Sequence, residues 1–374
     1  MTISASIPAA VIAMGITRII FKKNSILESN MVQTIGSAGE SVAAGAIFTM
    51  PALFLWAKEG LINQPSLLSI SLITLCGAIL GVLFMIPLRN SIIVQEHGIL
   101  PYPEAQACAE VLLAGEKKGS DAKAVFSGMA IATLLISTIL LKVSGDTGAH
   151  GMVSAITIGS IICVIAAIAG DTSQDLKTGY ILGATPKKQQ IGELVGAIIS
   201  ALTIGGVLIL LDSAWGFGSK ELAAPQATLM KLVTEGVMNG NLPWSYVFIG
   251  AACTVLFELL GLPSLAVAIG IYLPIELTAP IMLGGVLRRL MDKKNKTQSS
   301  ESSKGVLFCS GLIAGEGLMG VLLAILTVAG VADKIGLGAN IPAGVRLAGS
   351  VILLVVLVTL IVCHNCSAKN EKAE

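Results

Sequence analysis

Ten stretches of this chain are apolar for roughly 17–25 residues, the length a helix needs to cross a bilayer's hydrocarbon core. They fall near 3–21, 31–57, 67–88, 124–141, 151–169, 191–211, 243–262, 264–290, 305–330 and 346–363. Lipid offers no hydrogen bonds to an exposed backbone, so such runs fold as helices that satisfy their own N–H and C=O groups. Only 13% of the 374 residues are charged, against about 25% in a soluble domain. The chain therefore reads as an all-α polytopic membrane protein with about nine to ten transmembrane helices. The expected location is the bacterial cytoplasmic membrane, multi-pass. A formal net charge of +1 points to no polyanionic partner, and no nucleic acid is expected.

Lys and Arg set orientation. If every window crosses once, the basic segments 22–30, 89–123 and 170–190 share one side, while the most basic, 286–304, lands on the other. The conflict disappears if 264–290 does not cross. That window holds Pro274, Glu276 and Pro280, which break a straight helix, so it reads as a re-entrant hairpin. Broken helices at membrane depth occur against protein or a watery cavity, which makes the hairpin a pointer to a transport site. The N-terminus then lies outside and the tail inside. With no basic segment ahead of it, 3–21 reads as an uncleaved span. Trp56 and Trp244 stand at span ends, where an aromatic belt would place them. Between 89 and 123 a helix is expected to open at Pro103, and another at Pro225-Gln226-Ala227. The stretch 291–304 reads as a flexible polar linker.

One division point organises the chain. Residues 1–126 form an N-terminal-half bundle with a loop helix at 101–115. Residues 127–374 form a C-terminal-half bundle carrying the 291–304 linker. The order Ser6–Ala13, Lys22-Lys23-Asn24, Ala38-Gly39-Glu40 is echoed by Ser264–Ile269, Lys293-Lys294-Asn295, Ala314-Gly315-Glu316, a pattern of internally repeated transporters. Gly77 with Gly81, Gly192 with Gly196 and Gly311 with Gly315 are i,i+4 pairs that let helices approach closely; packing within the chain is the expected use. Cys76, Cys163, Cys253 and Cys309 read as small core residues.

A carboxylate at the centre of a membrane helix costs roughly 2.5–3.5 kcal/mol on insertion scales and so tends to face a cavity and serve a function. Glu40 and Glu316 are the two in matching contexts. On the 31–57 helix Gln33, Ser37, Glu40 and Ser41 share a face, and that stripe could bind a substrate amine or carry a proton. Glu258 and Glu276 stand near span or hairpin ends and read as interfacial. Gly170–Gly179 is a densely polar connection between two spans. Two readings stand beside each other: Asp171, Asp175 and Lys177 form an ion pair or gate, or the stretch is a solvated cytoplasmic loop. Walker A, His-Glu-x-x-His and Gly-x-Ser-x-Gly patterns are missing, so neither direct ATP use nor enzymatic chemistry is expected. The Cys363-His364-Asn365-Cys366 tail lacks the second ligand pair of a zinc site. No metal or cofactor is expected. Ion-coupled transport is the economical hypothesis.

Five stretches carry a more specific likeness: 2–16, QTIGSAGES at 33–41, PYPEAQACAEVL at 101–112, GDTSQDLKTGYILGATPKKQQIGELVG from 170 onward, and GLIAGEGLMG at 311–320. Together they resemble the oligopeptide transporter (OPT) family, in its prokaryotic branch related to yellow-stripe-like transporters. The resemblance implies a secondary transporter of two pseudo-symmetric halves that imports short peptides, peptide-like compounds or metal chelates with protons. It places Glu104, Asp171, Asp175 and Lys177 in family motifs near the pathway. Against that family the chain looks shortened at its start and internally, near Ala124-Val125-Phe126. The expected partners are thus a short peptide or chelate, protons, the bilayer and a second copy of the chain. The alternatives are a metal-chelate carrier and a non-transporting remnant or subunit of a split transporter.

Overall fold

Every long apolar window that the structure covers is helical. The computed structural model describes residues 25–95, 102, 105, 136–145, 148–219, 222–262, 264–272, 275–294, 312, 315, 319–320, 322–331 and 343–367. The principal helices are α1 (Ile26–Thr49), α2 (Pro51–Lys58), α3 (Leu67–Arg89), α4 (Gly148–Leu182), α5 (Pro186–Ala214), α6 (Pro225–Met238), α7 (Trp244–Leu259), α8 (Ser264–Tyr272), α9 (Ile275–Lys294) and α10 (Ala343–Ser367).

 The first helix ends where Pro51 withdraws its N–H from the ladder. Pro51 then serves as the first residue of α2, so 26–58 is one bent span. Ser25 caps α1 through the Glu28 N–H, and Ser66 caps α3 through the Ser69 N–H at 3.1 Å, each satisfying a donor that a helix start leaves open. Pro87 lies in the last turns of α3, which passes into a π-helical segment, Asn90–Gln95.

Four helical segments among the described residues are long and apolar enough to cross a membrane: Ile26–Lys58, Leu67–Gln95, Gly148–Leu182 and Pro186–Ala214. They form the core. The chain is all-α in its described parts and is an integral membrane protein. Helices α1 and α3 each pack against both α4 and α5, so the core is built from segments on both sides of residue 126.

Glycine sets the spacing. A Cβ on Gly45 would lie 2.7 Å from Val164 Cα, and one on Gly77 would lie 2.7 Å from Val164 Cβ. Val164 is therefore gripped from two sides, with Gly81 against Ile168 one turn on. On α5, Gly192 faces Met31 and Gly196 faces the Ile35 backbone. The expected use of the 77/81 and 192/196 pairs in packing within the chain is what the structure shows.

These contacts also fix direction. Residues 33, 41 and 45 of α1 meet 175, 171 and 164 of α4, so the two run antiparallel; α1 and α5 run parallel. The start of α1, the end of α3, the end of α4 and the start of α5 therefore share one end of the core. At the opposite end α2 meets α6: Lys231 pairs with Glu59 and, at 3.7 Å, with Glu235, and Lys58 lies 3.6 Å from Asp212.

Several expectations change. The 170–179 stretch is not a loop. It continues α4, a helix of 35 residues, and Asp171, Asp175 and Lys177 on it are buried. At 1.5 Å per residue that helix is about 52 Å long, well beyond a core about 30 Å thick, so its polar third can stay helical past the hydrocarbon. Trp56 is not a belt residue: it is fully buried and donates from Nε1 to Glu235 Oε1 at 2.5 Å. Trp244 is half exposed. Cys163 is buried, whereas Cys76 and Cys253 face outward and are not core residues. The 264–290 window contains two separate helices, α8 and α9, and Pro280 is accommodated inside α9. Helix α9 takes in 291–294 of the expected linker, and the short helix expected at Pro225 is α6. The spans expected at 3–21 and across most of 305–330, and the loop helix at 101–115 apart from Tyr102 and Ala105, lie outside the described residues.

Candidate functional site

Polar side chains collect where α1, α4 and α5 meet at the shared end. From α1 come Asn30, Gln33, Thr34, Ser37 and Ser41; from α4 Asp171, Thr172, Gln174, Asp175 and Thr178; from α5 Gln189, Gln190 and Glu193, all buried. The register explains the gathering. On α1, positions 30, 33, 34, 37 and 41 recur at three- and four-residue steps and so fall on one face. On α4, Asp171, Asp175 and Thr178 do the same.

The hydrogen bonds join the three helices directly. Gln33 Nε2 donates to Asp175 Oδ1 at 2.7 Å. Ser41 Oγ contacts both Asp171 Oδ2 and the Ser37 carbonyl. Gln189 Nε2 donates to the Asp175 carbonyl at 2.9 Å and to Thr34 Oγ1 at 3.4 Å. Gln174 Oε1 accepts from the Ala105 N–H at 3.0 Å, and Thr178 Oγ1 donates to the Ala105 carbonyl at 3.1 Å, which ties the motif around 101–112 to the end of α4. Arg89 donates to Gln190 Oε1 at 2.5 Å.

Satisfaction is incomplete. Both oxygens of Glu193, Asp175 Oδ2, Gln33 Oε1 and both polar atoms of Asn30 are buried with no hydrogen-bond partner. Thr172 lies beside Glu193 without reaching either oxygen in hydrogen-bond geometry. Asp175 is within electrostatic reach of both Glu193 and Asp171. A buried polar group left unpaired costs about 1–3 kcal/mol, and a charged one more, so this seam is held against its own preference by the packing of Gly192 and Gly196 on α1.

The expected site residues divide as follows. Gln33, Ser37, Asp171 and Asp175 come together in the seam. Glu40 is half-buried on the same helix. Lys177 does not join the aspartates: it emerges on another face of α4, donates to the Ile93 carbonyl at 2.9 Å and lies over the rings of Tyr102 and Tyr180 at 5.0 and 5.3 Å. Of Asp171, Asp175 and Lys177, expected as an ion pair or gate, the lysine thus anchors the π-helical end of α3 instead. Glu104 and Glu316 lie outside the described residues. Glu193 and Gln189 were missed. Glu193 stands between Gly192 and Gly196 in an apolar helix, and a carboxylate flanked by small residues is the signal that marks it. Among the described residues no three of His, Cys, Asp and Glu converge as a metal cluster.

Comparison with known proteins gives these sequences a context. The family model described as OPT oligopeptide transporter protein matches residues 1–137 and 122–327. The two matches overlap over residues 122–137. A Haemophilus influenzae protein carrying an oligopeptide-transporter name is 34% identical over 237 residues, 54% of this chain and 37% of its own length. A Saccharomyces cerevisiae protein of similar name is 28% identical over 181 residues, 44% of this chain and 25% of its own. Arabidopsis thaliana YSL8, named for metal–nicotianamine transport, is 27% identical over 222 residues, 54% of this chain and 30% of its own. These matches thus span about a third or less of the relatives' lengths. No solved structure matches.

Proposed function

We propose that this chain, which belongs to the OPT oligopeptide transporter family, moves short oligopeptides or peptide-like compounds across the membrane, driven by protons. The observation that carries the reading is the buried seam: carboxyls from two helices and amides from three meet, buried, at one end of the helical core, where such groups are costly unless they serve a pathway. Asp171, in contact with Ser41, and the half-buried Glu40 are the proton-exchanging carboxyls of this reading. Glu316 plays the matching part in the second Ala-Gly-Glu helix, and Glu104 belongs to the loop motif that Gln174 and Thr178 hold at Ala105. The membrane is the bacterial cytoplasmic one, and assembly with further copies of the chain completes the substrate cavity.

The test is uptake of a labelled tetrapeptide mixture into proteoliposomes carrying only this chain, with and without an inward proton gradient. Gradient-dependent uptake supports the reading. Its absence in protein that is monodisperse in detergent refutes autonomous transport. A second reading, carriage of metal chelates, draws on the relatives named for metal–nicotianamine transport. Competition of the labelled peptide by iron or nickel chelates separates the two.

A further inference from the structure

Among the buried polar atoms of the seam left without a partner, oxygens outnumber nitrogens: Gln33 Oε1, Asp175 Oδ2, both Glu193 oxygens, Asn30 Oδ1 and Gln189 Oε1 stand against Asn30 Nδ2 and Gln190 Nε2. Gln33 turns its amide nitrogen to Asp175 Oδ1, and a carboxylate oxygen can only accept there, so the Gln33 oxygen is directed away from that bond and stays unpaired. Asp175 Oδ2 and both Glu193 oxygens are unpaired as well. These four oxygens belong to three side chains at most 2% exposed. Among the described residues no ion pair reaches Asp175 or Glu193. Lys177 of α4 is engaged at the Ile93 carbonyl and Arg89 of α3 at Gln190, while Lys187 and Lys188 of α5 are exposed.

Two buried carboxyls within electrostatic reach of each other, one of them hydrogen-bonded to the Gln33 amide, favour a positive charge beside them. A divalent ion such as Ca²⁺ takes six to eight oxygens, and Mg²⁺ keeps several of its waters. The four oxygens of these three side chains are fewer than that, and soft or imidazole ligands for a transition metal are missing from the set. A single small monovalent ion suits both the number and the hardness of these donors.

We propose that Asp175, Glu193 and Gln33 bind one alkali-metal cation, of the size of Na⁺, between α1, α4 and α5. The bound ion ties α4 and α5 to α1 through Gln33, and it leaves Asp171, paired with Ser41, as the neighbouring carboxyl that exchanges protons. The assignment goes beyond the transport reading and does not depend on it, because binding is measured without peptide or gradient.

The experiment is radiolabelled ²²Na⁺ binding to the purified full chain in detergent, with choline chloride holding ionic strength constant at near-neutral pH. The expected result is saturable binding of about one ion per chain, competed by unlabelled Na⁺ and not by choline. Glu193→Gln and Asp175→Asn each weaken it by at least about tenfold, the smallest effect seen for disturbed metal sites. Glu59→Gln, at the opposite end of the core, leaves it unchanged. Gel filtration of each variant shows that it is folded, and Glu193→Asp, which keeps the charge and shortens the side chain, weakens binding without abolishing it. Saturable binding that survives in both Glu193→Gln and Asp175→Asn overturns the site. So does monodisperse wild-type protein that binds no Na⁺ but takes up a proton in a pH jump that Glu193→Gln removes; the seam is then a proton site.

Discussion

Gly196→Ala tests the packing on which the seam depends. A Cβ at Gly196 falls well inside contact distance of the Ile35 carbonyl oxygen and within 3.1–3.2 Å of that residue's carbonyl carbon and Cα. All three atoms are backbone, so no rotamer change relieves the clash. Helix α1 must step back from α5 by about 1 Å to restore ordinary contact. On the same interface Ser200 Oγ donates to the Gly39 carbonyl at 2.7 Å, and such a step stretches that bond beyond useful length. Overpacking costs about 1–3 kcal/mol and the lost hydrogen bond about 1 kcal/mol. Against this stands the gain of replacing glycine by alanine in a helix, up to about 1 kcal/mol. The net expectation is a loss of about 1–3 kcal/mol. Gly206, on the same helix with nothing within 4 Å of a new Cβ, is the control: Gly206→Ala keeps only the propensity gain. Thermal unfolding in detergent, followed by intrinsic fluorescence, should place Gly196→Ala below wild type and Gly206→Ala at or above it. Equal midpoints for the two variants would falsify the α1–α5 contact and, with it, the geometry of the seam.

Further perturbations separate function from fold. Glu40→Gln and Asp171→Asn should each abolish proton-driven uptake in proteoliposomes while the protein elutes unchanged in gel filtration; full uptake by either removes that carboxyl from the mechanism. Trp56→Phe deletes the donor that Glu235 Oε1 accepts at 2.5 Å and should lower stability by about 1.5–3 kcal/mol, the range for hydrogen bonds to charged groups, in the same unfolding assay. A smaller loss than that of an exposed Trp244→Phe control would contradict the burial of Trp56. Lys177→Met keeps the aliphatic stem and removes the donor at the Ile93 carbonyl. Hydrogen exchange should rise across 90–95 and stay level in α5, and unchanged protection there would argue against the lysine as an anchor.

Much of the core was legible because bilayer length and apolar composition leave few choices. Windows at 31–57, 67–88, 151–169 and 191–211 became α1 with α2, α3, α4 and α5. The ends were not legible, and the reason is physical. A window of uniform apolarity stops at the edge of the hydrocarbon, whereas a helix continues while its hydrogen bonds are satisfied and its side chains are buried by neighbours. Residues 170–182 have the composition of a loop and are helical because α1, α5 and the π-helical segment cover them. Trp56 was misplaced for a related reason: nothing local shows that α6 returns to bury it.

The same distinction accounts for which site residues could be found. Gln33, Ser37 and Glu40 stood out because polar groups in an apolar run are conspicuous, and helical spacing placed Gln33 and Ser37 on a common face. Glu193 hid behind a start of α5 rich in Lys and Gln, where one more charge looks interfacial. Its meaning comes from long-range register: α5 runs parallel to α1 and follows α4 through a turn of three residues, 183–185, so its first turns are held against the end of α4. A short connection between antiparallel helices is thus what brings Glu193 to Asp175. Lengthening that turn by a few flexible residues should loosen the pairing before it disturbs the apolar packing of Val164 and Ile168, because those contacts lie about two to three turns deeper, beyond the reach of the connection. The seam is therefore the part of the core most sensitive to how α4 passes into α5, and the Asp171–Gly179 motif together with the Gln189–Glu193 segment reads as one structural unit rather than a loop and a helix start.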